Sequence, residues 1–226
     1  MAEPDWSDPM AAEITAGWPR NPRCLVDGDG VRRAAAAVIA MLAENADRDW
    51  SVRAGQLQWS VVEVVSHLVD VCGSYAVHLA SGSSRRLRFD LVPHPGAGVA
   101  EQIAVLGALV EHLAQVVDRA PLQARAWHRY GMADPAGFAA MACDELLVHG
   151  SDIAEGWAEA FEPDRELCRL VLARLFPWAP PVGDPWQALL WANGRIALPG
   201  HPRLAPDWVW WSAPLAEWDR QRPVAT

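Results

Sequence analysis

The chain has 226 residues, of which 51% are hydrophobic, so it is long and apolar enough to bury a full core. Its formal net charge of −9 argues against nucleic acid as the main partner, because the longest positive cluster is only RRLR at residues 85–88. All 19 basic residues are arginine, which excludes chemistry that needs a lysine, such as a Schiff base or a P-loop.

The first half of the chain predicts an irregular arm and two helices. Residues 1–28 are rich in Pro, Gly and Asp and predict the arm, and a first helix is expected from about 29 to 46 with Asp29 as its N-cap. After a loop that contains tryptophans, Ser60 and Glu63 have the spacing of a capping box. They predict a second helix that reaches about Ala80 and has a broad apolar face with His67 at its edge.

Two more helices are predicted before residue 160. The residues Ile103, Leu106, Val110 and their successors repeat at three and four positions, which indicates a helix from about 99 to 119. A linker or short turn follows, without the signal of a β-hairpin. The fourth helix begins with Asp134 as N-cap and Pro135 at the first helical position.

Four long capped helices predict an all-α protein built as an antiparallel four-helix bundle over residues 1–160. Residues 161–226 predict a short, mostly helical C-terminal appendage, with helices from 164 to 176 and from Asp184 to about Gly194. Nine of the 13 tryptophans lie at or after residue 127. They predict a hydrophobic cover on the bundle, a wall of a substrate pocket, or the interface of a homodimer.

The cysteines and the N-terminus predict the compartment. The spacing of Cys24, Cys72, Cys143 and Cys168 fits neither a zinc ribbon nor a disulfide framework, so we expect free thiols in a reducing cytosol. The first ten residues lack the basic start and apolar core of a signal peptide. No apolar run approaches the roughly 20 residues that span a bilayer, so we predict a soluble, cytoplasmic protein without a membrane partner.

A metal site is the chemistry that the fourth helix suggests. Glu145 and His149 lie one helical turn apart on one face and are separated by three apolar residues. A buried carboxylate is costly unless it is paired or coordinates a metal. His67 on the second helix could supply a third ligand, which would leave open positions for water or substrate. Nitrogen and carboxylate donors suit zinc, with iron(II), nickel and cobalt as alternatives.

The segments LQWSVVEVVSHLVD and GFAAMACDELLVHGSDIAEGW together resemble the DinB-like superfamily. They are most similar to its actinobacterial branch of mycothiol-dependent maleylpyruvate isomerases. The family pattern has a tryptophan before a helical His-Leu and, later, Glu-x-x-x-His followed by Gly and Asp. These positions are here Trp59, His67, Glu145 and His149, with Gly150 and Asp152 after them.

The resemblance implies a DinB-like bundle in which His67, Glu145 and His149 bind a divalent metal. The metal would activate a low-molecular-weight thiol, mycothiol, for S-transfer or for cis-trans isomerisation of a small electrophilic substrate. Asp152 could orient a ligand, and Arg195, in a tail that resembles the family's, could hold a substrate carboxylate. Two alternatives stay open: an enzyme of secondary metabolism that uses the metal as a Lewis acid without a thiol, and a non-catalytic helical bundle that binds small molecules.

Overall fold

The computed structural model describes residues 26–180 and 183–223, and this part of the chain is almost entirely helical. Most of the arm predicted for residues 1–28, with Cys24, lies outside the described residues. The secondary-structure elements in chain order are α1 (Gly28–Glu44), α2 (Val61–Ser81), α3 (Val99–Arg119), β1 (Ala126–His128), β2 (Gly131–Ala133), α4 (Pro135–Gly156), α5 (Arg165–Leu175), α6 (Pro185–Ala192) and a short 3-10 helix (Leu215–Glu217).

The four long helices form a bundle in which α1 and α2 each pack against both α3 and α4. The apolar faces of these helices meet in one continuous core, to which Val38, Leu68, Leu113 and Leu147 contribute side chains that are almost completely buried. The predicted all-α, DinB-like four-helix bundle is therefore confirmed. Helix α4 is buried on nearly all sides because α5 also packs against it.

The helix starts follow the capping residues, with one correction. The side chain of Asp27, rather than that of Asp29, caps α1 by accepting a hydrogen bond from the Gly30 amide at 3.1 Å. Asp29 instead lies in the first helical turn, where its negative charge interacts favourably with the positive end of the helix dipole. The predicted capping box of Ser60 and Glu63 is present at the start of α2, and Asp134 caps α4.

The segment between α3 and α4 contains a small β-hairpin, so the prediction of a linker without a hairpin is wrong. Strands β1 and β2 pair antiparallel, with Ala126 opposite Ala133 and His128 opposite Gly131. Gly131 has a φ of 135°, a conformation that glycine adopts readily and other residues rarely do. The hairpin carries Tyr130 at its turn, beside the C-terminal segment.

The two helices predicted for the C-terminal appendage are present: α5 packs against α4 of the bundle, and α6 packs against α5. The described residues that follow α6 are mainly irregular. A buried ion pair joins the appendage to the bundle: the Arg174 guanidinium of α5 lies 2.5 Å from Asp134 at the start of α4. Arg174 also donates hydrogen bonds to the carbonyl groups of Trp211 and Ser212. Whether residue 160 separates two folding units stays a prediction.

Helix α3 has the length and composition of a membrane span, with a mean hydropathy of 1.2. The helix is not an uninterrupted apolar run, because it contains Glu101, Glu111 and Asp118. The finding is weak evidence for a membrane, since the core helix of a soluble protein passes the same test. Helix α3 packs against α1 and α2, and Arg32 of α1 pairs with its Glu111 and Asp118.

Candidate metal centre

Three side chains that the sequence singles out meet where α2 packs against α4. Glu145 Oε2 lies 3.1 Å from His67 Nε2 and 3.2 Å from His149 Nε2. One ligand atom from each residue lies within 4.8 Å of the other two, which is close enough for one metal ion to contact all three. No other histidine, cysteine or carboxylate of residues 26–180 and 183–223 belongs to this group.

The charges of this group compensate one another within a buried setting. Burial raises the pKa of Glu145, but the hydrogen bonds from His149 and His67 outweigh it and hold that pKa well below its usual range. Burial lowers the pKa of His149, whereas hydrogen bonds to Asp152 and Glu145 raise it to about 9. Without a metal, the site is thus an ionised carboxylate beside at least one imidazolium.

The ring of His149 is oriented by a chain of polar contacts that extends into the appendage. Its Nδ1 lies 3.0 Å from Asp152 Oδ2, which leaves Nε2 directed at Glu145. Asp152 in turn accepts two hydrogen bonds from the Arg195 guanidinium, from Nε at 3.1 Å and from Nη2 at 2.7 Å. Carboxylates commonly orient metal-binding histidines in this way.

The His67–Glu145–His149 group opens onto a cleft of about 310 Å³ between the bundle and the C-terminal segment. Trp59 forms one side of the mouth, where it is 43% exposed and its ring centroid is 5.1 Å from that of His67. Trp208 and Trp210 of the C-terminal segment also line the cleft. Two of the tail tryptophans therefore line the cleft, whereas Trp178, Trp186 and Trp191 are buried in the core.

The three donors and the adjoining cleft fit a catalytic divalent-metal site. Two imidazole nitrogens and a carboxylate are ligands of zinc and of other divalent transition metals. The donors come from two packed helices, and His149 Nδ1 already has a carboxylate partner. The side that faces the cleft leaves room for a water molecule or a substrate.

The comparison with protein families agrees with the pattern of these residues. Residues 31–154 match the family model described as the mycothiol maleylpyruvate isomerase N-terminal domain. The chain belongs to this family. No curated protein and no solved structure matches the chain significantly. The matched region contains His67, Glu145, His149 and Asp152, whereas Arg195 lies outside it.

Arg195 lies beside the site, but its guanidinium is already engaged. In addition to its two hydrogen bonds to Asp152, it donates through Nη1 to the carbonyl of Asn193 at 3.0 Å. The side chain lines the cleft and is 19% exposed. Its contacts therefore favour a role in holding Asp152 over the predicted role in holding a substrate carboxylate.

Sequence reasoning missed three polar residues that line the cleft, Tyr130, Asp144 and Asn193. Asn193 Nδ2 donates to Asp144 Oδ1 at 2.8 Å, and both residues line the cleft. Burial raises the pKa of Asp144 to about 8, although the hydrogen bond from Asn193 opposes this shift. The sequence did carry a signal for Asp144, because it is a second carboxylate directly before Glu145 in an otherwise apolar stretch of helix.

Proposed function

We propose that this protein is a divalent-metal-dependent enzyme that uses a low-molecular-weight thiol, mycothiol, to transfer sulfur to a small electrophile or to isomerise it. The observation that carries the proposal is the convergence of His67, Glu145 and His149 on one wall of an open cleft. These residues lie within the part of the chain that matches the isomerase family.

The three proposed ligands are prepared for a cation by their surroundings. Glu145 is already an anion, and His149 needs only to lose the proton that its carboxylate neighbours stabilise. Asp152 keeps the His149 ring in the orientation that directs Nε2 at Glu145. A divalent metal held there, zinc with iron(II), nickel or cobalt as alternatives, would lower the pKa of a coordinated thiol so that the thiolate forms near neutral pH.

An external thiol is favoured because the protein's own described thiols are unsuited to nucleophilic attack. Cys72, Cys143 and Cys168 are all buried. Burial raises the pKa of Cys72 and of Cys168 to about 12 and that of Cys143 well above its usual value. Since the thiolate is the reactive form, none of the three is a ready nucleophile at neutral pH.

We assign Asp152 and Arg195 as positioning residues of this site. Asp152 contacts the proposed ligand His149 directly, and Arg195 fixes Asp152 through two hydrogen bonds. The partners that we propose are a small-molecule substrate and the thiol, with neither nucleic acid nor membrane, in the cytoplasm. A homodimer stays a prediction from the tryptophan-rich tail.

Metal analysis of the untagged protein tests the proposal most directly. We expect about one equivalent of a divalent metal in the parent and its loss in both His67→Ala and His149→Ala, with helical circular dichroism unchanged. His112→Ala is the matched control, because His112 is an exposed histidine on α3 outside the cleft. A parent that stays empty after incubation with zinc, iron(II), cobalt and nickel would refute the metal mechanism.

Binding of a thiol separates the proposed reaction from its alternatives. In the cobalt-loaded protein, a thiolate bound to cobalt gives a charge-transfer absorption, whereas oxygen ligands of cobalt do not. We expect this absorption with mycothiol in the parent and its absence in the two histidine variants. Metal binding without any thiol signal would favour the Lewis-acid alternative, and the absence of both would favour a non-catalytic binding protein.

A further inference from the structure

Helix α3 has an apolar face that the bundle does not cover. The helix is apolar enough to pass for a membrane span, yet only 28% of its most apolar window is buried. Ala104 and Ala108 are exposed, and Ile103 and Leu109 beside them are only partly buried. Exposed apolar surface that is concentrated on one element commonly marks an interaction site.

Two exposed large apolar side chains flank this face. In the described part of the chain, the exposed side chains of this kind are Trp59 at the mouth of the cleft, Val92 and Leu122. Val92 follows Leu91, which lies beside Leu109 of α3 over the same glycine of α2. Leu122 lies three positions after the end of α3. No tryptophan of the tail belongs to this set, so the uncovered apolar surface lies at α3 rather than at the tail.

A groove continues the face at the C-terminal end of α3. It has a volume of about 300 Å³ and lies between the ends of α2 and α3. Leu79, Val116 and Ala120 contribute apolar side chains to its lining, and His112 and Arg119 contribute polar ones. The groove can therefore receive apolar side chains of a molecule that lies along α3.

The two ends of the face carry opposite charges. Glu101 and Arg119 are both exposed and lie 18 positions apart, which is five turns of an α-helix, so they share one side of α3. Ala108 lies on that side between them. The ion pairs that α3 makes within the described residues use Glu111 and Asp118 instead, toward α1. The charges of Glu101 and Arg119 are thus available to another molecule.

We propose that α3 pairs antiparallel with α3 of a second copy of this chain, around a two-fold axis. Glu101 of each copy then faces Arg119 of the other, and Ala108 faces His112. The N-terminal half of each α3 covers the groove of the other copy. A second copy is favoured over another occupant because the face is complementary to itself: an antiparallel pairing brings its opposite charges together twice. This inference is independent of the proposed function.

The size of the face sets the expected affinity. A helix of 21 residues is about 31 Å long and 10 Å wide, so α3 alone covers roughly 300 Å² per copy. Val92, Leu122 and the groove extend the contact, which still lies at the low end of specific interfaces. We therefore expect a reversible dimer with a dissociation constant in the micromolar range.

Analytical ultracentrifugation of the untagged protein tests the pairing, at low salt and over concentrations from about 1 to 300 µM. Glu101→Arg and Arg119→Glu should each weaken the dimer at least tenfold, because each variant brings like charges together. The double variant exchanges the two charges, so its dissociation constant should return to within threefold of the parent. Ala108→Arg places a charged side chain in the middle of the contact and should leave only monomers.

Glu166→Arg is the matched control, because it reverses an exposed glutamate on α5, which packs against α4 and α6. It should leave the dissociation constant within twofold of the parent, and circular dichroism confirms that each variant is folded. A parent that stays monomeric over the whole range would overturn the proposal, and its binding to phosphatidylglycerol vesicles would then assign the face to a membrane. A dimer that tolerates Ala108→Arg, or that does not recover in the double variant, would overturn the antiparallel pairing.

Discussion

Replacement of Asp152 by asparagine tests whether the orientation of His149 sets the affinity of the proposed metal site. Asp152 is the partner of His149 Nδ1, at 3.0 Å, and both side chains are largely buried, with 5% and 11% exposed. Loss of a carboxylate that orients a metal-binding histidine typically lowers metal affinity 10- to 100-fold. This range corresponds to roughly 1.4 to 2.7 kcal/mol of binding free energy.

The contact with Arg195 places the expected loss near the upper end of that range. Both Nε and Nη2 of Arg195 donate to Asp152, so the variant leaves a guanidinium without its counter-ion close to the bound cation. We therefore expect Asp152→Asn to lower zinc affinity about 100-fold. In the double variant with Arg195→Gln the uncompensated charge is removed, and the affinity should recover to about tenfold below the parent.

Zinc competition against a chromophoric chelator at pH 7.5 measures these affinities, and circular dichroism confirms that each variant is folded. Asp134→Asn is the matched control, since Asp134, the N-cap of α4, is also a buried aspartate that pairs with an arginine, but it does not line the cleft. Zinc affinity of folded Asp152→Asn within twofold of the parent would refute the role of Asp152. An equal loss in the single and double variants would refute the charge contribution of Arg195.

Three further outcomes follow from buried charges. Arg174→Met should lower the free energy of unfolding by about 3–5 kcal/mol in urea denaturation, because it leaves Asp134 buried without its cation; a loss below about 1 kcal/mol would contradict this. Burial lowers the pKa of His128 to about 4. Between pH 6.5 and 4 the unfolded chain therefore binds a proton at His128 that the folded chain does not. The free energy of unfolding should fall by on the order of 3 kcal/mol over this range, and the fall should be smaller in His128→Gln. Since the pKa of His149 is about 9, zinc binding at pH 7.5 should release about one proton, measured by calorimetry in two buffers; no release would contradict an imidazolium there.

The helices could be predicted from the sequence because their ends carry local signals. Ser60 with Glu63, and Asp134 with Pro135, define helix starts through contacts that span no more than three residues. The N-cap of α1 was predicted wrongly because Asp27, two positions before Asp29, is the same residue type and therefore carries the same capping signal. The hairpin was missed because strands of three residues are too short to show an alternating pattern.

The candidate site was predictable only where its residues share a helix or a family pattern. The i, i+4 spacing of Glu145 and His149 follows from helical geometry. His67 was a candidate third ligand because of its place on the second helix, and the family resemblance then supported it. Neither source indicates that Arg195 binds Asp152, 43 residues away, or that Asn193 binds Asp144, 49 residues away. Those contacts depend on how the appendage packs on the bundle, which no local pattern encodes.

The division of the site between bundle and appendage has a consequence for specificity. All three proposed metal ligands and Asp152 lie in the region that matches the family, while Arg195, Asn193 and the tryptophan wall lie after it. The packed helices α2 and α4 fix the spacing of the three ligand residues, and from the appendage only Arg195 acts on their orientation, through Asp152. The cover determines which donors and apolar faces a bound molecule meets. Exchange of residues 196–212, which keeps Arg195, should therefore alter ligand selectivity more than it alters zinc affinity.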